Sequence, residues 1–350
     1  MPSLLRAVTN YIKPRKPRYR RGRYFLGVDA GGTKTLAIVA DETGRVLGVG
    51  LSGSGNFQGL GLQRARAAVR GSVREALRDA GLRSKQITAS FFGMAGADRP
   101  RDFAIVRELL RPIVPNQMWG FDNDAVIGLF GGTGDGIGVG VVCGTGTNVI
   151  GVGPRHERVQ VGGMGSLFGD AAGGAHIGRS AIAAAMRGRE GRGPATSLYT
   201  VLCELYDVDD LLELVDLIYQ KRPLHPEKIA PYVFKEAMNG DLVASQILVA
   251  AGQDMAVSAA AALNRIFTNT DRPQVVAMGS LFQKANPSVL LDAFRAELAA
   301  LWPQADTRVL DCDPVLGAVF AAVSLLGEPP PPSFREILES SSEDQRKLPR

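Results

Sequence analysis

Phe121-Asp122-Asn123-Asp124-Ala125 sets two acids around an asparagine, directly after a short apolar run at 118–121 that reads as a strand. A carboxylate at a strand end lies outside the hydrogen-bond ladder and can take a proton from a substrate hydroxyl. If the strand runs on, both acids share one face. The Asn-Asp-Ala spacing favours Asp124 as the base, against the plainer reading in which Asp122 or Asp124 caps the next helix. A third acid belongs to Gly27-Val28-Asp29-Ala30-Gly31-Gly32-Thr33-Lys34-Thr35, a turn of small residues between two apolar runs. Its glycines let a ligand approach the backbone N–H groups, its threonines add hydroxyls, and Asp29 stands at a strand end where a hydrated Mg2+ would rest. Such a tip suits a nucleoside triphosphate; taken alone, it fits a structural turn equally well. It is no Walker A loop, which requires GxxxxGK[ST] ahead of a helix, and no GxGxxG fingerprint, because the segment after it continues as a strand.

The hydrophobic pattern supplies the elements that hold these groups. Runs at 24–26 and 36–40 flank the first tip, 45–50 follows as a third strand, and apolar positions Val69, Val73, Ala76 and Leu77 put one helical face on residues 63–80. A strand at 89–94, a helix at 101–110 and the strand before Asp122 complete an order that implies a mixed sheet covered by helices. The theme then returns. Residues 137–142 and 149–152 flank Cys143-Gly144-Thr145-Gly146-Thr147-Asn148, a second Gly/Thr tip. Gly162-Gly163-Met164-Gly165 runs to Asp170, an Ala/Leu-rich helical region spans 176–267, and a late strand enters Gly279-Ser280 before a last helix opening at Asp313-Pro314.

Composition narrows the class. The chain has 350 residues, 45% of them hydrophobic, and 42 glycines, as expected of a turn-rich globular protein. No uninterrupted apolar run reaches the roughly 18 residues of a membrane span, and no signal-peptide pattern opens the chain, so a cytoplasmic protein with no membrane partner is expected. Cys143, Cys203 and Cys312 lack CxxC spacing, and the three histidines lack metal spacing. The net charge of +5 comes from the start of the chain: residues 1–23 carry eight Lys or Arg and no acid, leaving 32 basic against 35 acidic residues elsewhere. That arm is expected to be a solvated, disordered extension rather than a nucleic-acid binder, and no helix-turn-helix pattern precedes the core.

Two Gly/Thr hairpins, a strand-end acid between them and a late Gly-Ser turn form a much rarer pattern than any one piece. Over residues 24 to 327 the chain resembles the actin/hexokinase/heat-shock ATPase superfamily, and within it the N-acetylglucosamine kinase and BadF/BadG/BcrA/BcrD-type ATPase group. The resemblance implies an α/β protein of two ribonuclease-H-like lobes with mixed sheets around an ATP cleft: 24–132 plus 314–327 as the N-terminal lobe, 133–313 as the C-terminal lobe, and 328–350 as a flexible tail. It implies ATP and Mg2+ as cofactors, with Asp29 beside the metal, Gly31, Gly32, Thr33, Lys34, Gly144, Thr145, Gly146 and Thr147 on the phosphates, and Gly279 and Ser280 on the adenosine. Pro314, Gly317 and Ala318 match the connecting helix. On the acceptor side Asn56, Asp124, Thr145, Gly163, Met164, Gly165 and Asp170 match sugar-binding positions, Asp124 as the catalytic base; Asn56 and Asp170 also read as plain turn residues.

The implied activity is phosphorylation of the 6-hydroxyl of N-acetylglucosamine or glucosamine, with the amino sugar as the partner and a homodimer left open. The alternative is an ATPase subunit that drives an acyl-CoA reductase or dehydratase, against which stands the absence of cluster-ligand cysteine spacing. Many relatives carry Gly-Gly-Trp-Gly and Gly-Asp-Glu-Gly-Ser where this chain has Gly162-Gly163-Met164-Gly165 and Gly169-Asp170-Ala171-Ala172-Gly173. An aromatic wall and one carboxylate are therefore expected to be missing beside the sugar.

Overall fold

The computed structural model describes residues 22–115, 118–220, 224–283, 289–328 and 330–344. The basic arm up to residue 21, residue 329 and the last six residues lie outside that set. The chain opens with β1 (Tyr24–Ala30), β2 (Lys34–Asp41) and β3 (Val46–Gly53), an antiparallel meander in register from Tyr24 with Asp41 to Ala30 with Thr35. There follow α1 (Phe57–Leu60), α2 (Leu62–Asp79), β4 (Ala89–Met94), α3 (Pro100–Leu110), β5 (Trp119–Asp122) and α4 (Asp124–Thr133). β4 joins β1 in parallel and β5 joins β4 in parallel, giving the order β3-β2-β1-β4-β5. β4 is buried along its whole length, as a parallel strand covered on both faces must be. α2 turns Ala65, Val69, Val73 and Ala76 into that core, the face its heptad-like spacing predicts.

β6 (Gly138–Cys143), β7 (Thr147–Val152) and β8 (Arg158–Val161) start the second sheet. Next come α5 (Gly174–Arg189), α6 (Leu198–Tyr206), α7 (Glu213–Tyr219), α8 (Ala230–Met238) and α9 (Leu242–Ile266). β9 (Gln274–Met278), α10 (Ser280–Gln283), α11 (Val289–Leu301) and β10 (Asp306–Val309) complete it. The order is β10-β9-β6-β7-β8, with β6, β9 and β10 parallel. Numbered within its own sheet, each set of strands reads 3-2-1-4-5 in space, so the repeated hairpin of the sequence is part of a repeated sheet. α9 has the length and apolarity of a membrane span, although polar residues interrupt its apolar run. Half of it is buried; Val243, Leu248, Ala251, Met255, Ala259 and Leu263 lie in the core, where the helix packs on α11 and α8.

The chain divides into two compact units, Met1–Gly138 with Val152–Arg158 and Leu310–Arg350, and Val139–Gly151 with Val159–Val309. Residues 152–158 group with the first unit, in which Arg158 ion-pairs with Asp122 and lies 5.1 Å over the Phe103 ring. α12 (Pro314–Ser324) is buried from Val315 to Val323 and packs on β1, β4 and α4. A Cβ on Gly317 would lie 1.8 Å from the Ile127 carbonyl oxygen, so only glycine lets α12 and α4 touch backbone to backbone.

Within the expected flexible tail, residues Phe334–Asp344 instead form α13. Its Ser/Glu-rich composition hides two apolar anchors. Phe334 is 1% exposed and meets the edges of Phe25 and Phe320, and Leu338 is fully buried. Arg335 donates to the Gly131 carbonyl at 2.8 Å. Ser341 Oγ accepts the Val46 N–H at 3.0 Å on the open side of β3, where Asp79 accepts from Val49 and Glu75 from Leu51, each at 2.9 Å.

Candidate active site

In the first unit the carboxyl ends of the parallel strands β1, β4 and β5 carry the acids. Asp29 is the penultimate residue of β1. The tip after it is closed by Gly31 N–H to the Lys34 carbonyl at 3.0 Å, with Gly32, Thr33 and Lys34 exposed. Buried Thr35 donates its hydroxyl to the Gly53 carbonyl, and Gly55 N–H donates to the Gly31 carbonyl, so the tip is braced by the loop that carries Asn56. Asn56 Oδ1 caps α1 by accepting the Gln58 N–H at 2.9 Å, and Gln58 Nε2 reaches the Gly96 carbonyl at 3.0 Å. The structure thus gathers Asn56, the turn after β4, and the start of α4.

Asp124 is the first residue of α4 rather than the last of β5, and Asp122 ends the strand. The cap is neither acid: Asn123 Oδ1 accepts the Ala125 N–H at 2.9 Å. Asp122 is engaged by Arg158 Nε at 3.0 Å and by the Asn123 N–H at 2.7 Å. Burial pushes the Asp122 carboxyl above its usual range while Arg158 holds it down. Asp124 is pushed from 3.8 up to about 6, first by desolvation and then by the charge of Asp98. That places it in the range of a useful base near neutral pH.

Asp29 is pushed further, from 3.8 to about 7, by desolvation and then by repulsion from Asp124, opposed by Lys34 and aided by Asp313. Crowded carboxyls of this kind are relieved by a cation. The donors are all oxygens, which suits Mg2+. Among the described residues no three Asp, Glu, His or Cys side chains close around one point, so a cation here would keep several waters or phosphate oxygens, as Mg2+ does. Three contributors were not singled out from the sequence: Asp98, Arg158 and Asp313. Only Asp313 had a signal, as the residue before a Pro-initiated helix.

In the second unit the tip Gly144-Thr145-Gly146 joins β6 to β7, and its carbonyls at Gly144 and Thr145 accept the N–H groups of Gly174 and Ala175 at the start of α5. Thr145 and Gly146 are exposed. Gly279 follows β9 with φ +98°, and a Cβ there would lie 2.5 Å from the Cys143 carbonyl oxygen, so the turn lies directly on the base of the tip. Ser280 is exposed at the start of α10. Asp170 accepts from the N–H of Gly163 at 3.1 Å and of Gly165 at 2.6 Å, folding the loop so that Met164 is 41% exposed at its crest. The phosphate-type tip and the Gly-Ser turn come together in this unit, and Gly173 packs against Gly146 to bring the Asp170 loop to the same end of the sheet.

Comparison with known proteins identifies the family. Residues 26–322 match the model of the BadF/BadG/BcrA/BcrD ATPase family. The chain is 27% identical to an N-acetyl-D-glucosamine kinase of Dictyostelium discoideum, over 86% of this chain and 98% of that one. It is also 27% identical to an N-acetylmuramic acid/N-acetylglucosamine kinase of Clostridium acetobutylicum, over 86% and 99%. In fold it is similar to the crystal structure of the ROK hexokinase from Thermus thermophilus, with a TM-score of 0.54 at 19% identity over 87% of this chain and 99% of that one.

Proposed function

This chain belongs to the BadF/BadG/BcrA/BcrD ATPase family, and from that premise we propose that it is an ATP-dependent kinase that phosphorylates the 6-hydroxyl of an amino sugar. The observation that carries the reading is Asp124, a single carboxylate raised to about 6 at the start of α4, while Asp122 is taken by Arg158. The relatives named as N-acetylglucosamine kinases support the substrate class.

In the proposed reaction Asp124 accepts the proton of the 6-hydroxyl as that oxygen bonds to the γ-phosphorus and the bond to the ADP oxygen breaks in line. For the phosphates the reading assigns, in the first unit, the tip at Gly31 and Gly32 with the Thr33 hydroxyl and the Lys34 ammonium, and, in the second unit, the tip at Gly144 and Gly146 with the hydroxyls of Thr145 and Thr147; the N–H groups of Gly31 and Gly144 are spent inside their own tips, closing them on the Lys34 and Gly146 carbonyls. Gly279 and Ser280 border the adenosine. Asp29, with water, would hold a Mg2+ ion, which would supply charge neutralisation for phosphoryl transfer. For the sugar the reading assigns Asn56 in the first unit and, in the second, the Gly163–Gly165 loop with Asp170, with Met164 suited to its N-acetyl methyl.

The partner-driven ATPase is the weaker reading, because burial pushes the thiols of Cys143 and Cys312 to about 12 and Cys203 is buried. Thiols in that state are poor ligands for a shared iron–sulfur cluster. The test is an ADP-release assay on the protein alone with N-acetylglucosamine, glucosamine, glucose, N-acetylmannosamine and pantothenate. Stimulation by an amino sugar supports the kinase; ADP release unaffected by any acceptor overturns it.

A further inference from the structure

The turn after β4, residues 95–98, enters no role assigned so far, yet it is held at the site from two sides. Its Gly96 carbonyl receives Gln58 Nε2 at 3.0 Å, one residue beyond the Asn56 loop. Its Asp98 Oδ1 receives Asn123 Nδ2 at 2.9 Å. Asn123 is 1% exposed, so its amide is fixed at both ends: one end caps α4, and the other holds Asp98 beside the residue that begins that helix. The neighbouring Arg99 is held by Asp102, with contacts at 2.8 and 3.0 Å. In parallel sheets, ligands collect beyond the carboxyl ends of the strands, where this turn lies between those of β1 and β5.

We propose that Asp98 is a hydroxyl-binding residue of the acceptor site: Asn123 positions it to accept the sugar hydroxyl next to the transferred one, the 4-hydroxyl, while Asp124 takes the 6-hydroxyl. The proposal rests on the kinase reading above. A carboxylate is suited to this task because it accepts without donating, and a hydrogen bond to a charged acceptor discriminates strongly against a sugar that lacks the hydroxyl. Asp98 is not a second base. It moves no proton and determines which epimer and which deoxy analogue enter productively.

The experiment compares kcat and KM for N-acetylglucosamine and 4-deoxy-N-acetylglucosamine in the wild type, Asp98→Asn and Asp98→Ala, with thermal melts on each. The wild type is expected to favour the complete sugar in kcat/KM by about 10-fold or more, and Asp98→Ala to erase most of that ratio while KM for ATP stays within about twofold. The isosteric Asp98→Asn keeps the shape of the turn and should show an intermediate ratio. A wild type indifferent to the 4-hydroxyl overturns the proposal without recourse to a variant. So does a full ratio retained in both variants, the pattern expected if Asp98 only braces the turn; sugar-stimulated turnover would then still stand. Absence of any sugar stimulation in the wild type removes both readings together.

Discussion

Arg158 holds Asp122 through Nε at 3.0 Å, two residues ahead of Asp124, and this contact separates the two acids in the direction that the Asn-Asp-Ala spacing favours. Asp124→Asn is therefore expected to lower kcat by roughly 10²-fold or more with KM for ATP nearly unchanged. Asp122→Asn should act chiefly on stability, since both partners of the pair are less than 20% exposed and Arg158 would lose its counter-charge. A drop in Tm of more than about 5 °C is the expected readout. Near-normal turnover in Asp124→Asn would take that residue out of the role.

The raised carboxyls make the free protein sensitive to pH in a defined direction. Asp29 and Asp124 hold protons in the folded chain up to about 7 and about 6, whereas the unfolded chain releases them near 3.8. Between those values the folded state binds more protons, so stability contributed by these groups is lost as pH rises from about 4 to about 7. Without nucleotide the Tm should be lower at pH 8 than at pH 5.5. Asp29→Asn should flatten that slope and raise the Tm at pH 8 by about 2 °C or more. An unchanged slope in the variant would show that other groups set it.

Asp29 also predicts a metal response. Asp29→Ala should require more Mg2+ for half-maximal rate and remain slower at saturating sugar and ATP. Titrations of Mg2+ against initial rate, run on both proteins, decide the matter, and superimposable curves would exclude Asp29 from the metal's surroundings.

The Gly279-Ser280 turn, proposed to border the adenosine, has little room. Gly279→Ala places a methyl against the Cys143 carbonyl and forces a left-handed backbone conformation on alanine. We expect KM for ATP to rise several-fold with KM for sugar little changed, at a cost of about 1–3 kcal/mol in stability. Equal ATP affinity in the variant, measured by nucleotide-induced shifts in Tm, would remove this turn from the nucleotide site.

Met164 and Ala171 are expected to shape sugar preference. Met164 is apolar and flexible at the crest of its loop, and Ala171 adds no charge to meet an ammonium. N-acetylglucosamine is expected to exceed glucosamine in kcat/KM, with glucose below the better of the two. A higher kcat/KM for glucosamine reverses the assignment.

Local chemistry made much of this legible. Both Gly/Thr tips, α2 with its apolar face, and the α12 start at Asp313-Pro314 follow from spacing alone. What the sequence hid depends on distant partners. β8 and β10 are four-residue strands at sheet edges, too short for periodicity to register. α13 is mostly polar, and its two anchors acquire meaning only when Phe25 and Phe320 are in place. The acids Asp29, Asp98, Asp124 and Asp313 come from four separate segments, so neither their mutual repulsion nor the Asn123 bridge has a local signature.

The side chains along β3 have a consequence for colloidal behaviour. An edge strand with open N–H groups is a template on which another chain can add a strand. Here the N–H groups of Val46, Val49 and Leu51 are already occupied by Ser341, Asp79 and Glu75, two of them anions that also repel an approaching backbone carbonyl. Glu75 and Asp79 belong to α2 and Ser341 to α13, so the last helix covers the first of these N–H groups, at Val46, and completes the guard against self-templating. A chain cut after residue 328 should retain its two sheets yet cluster on standing, with light scattering that rises with concentration and falls again when Val46 is replaced by proline.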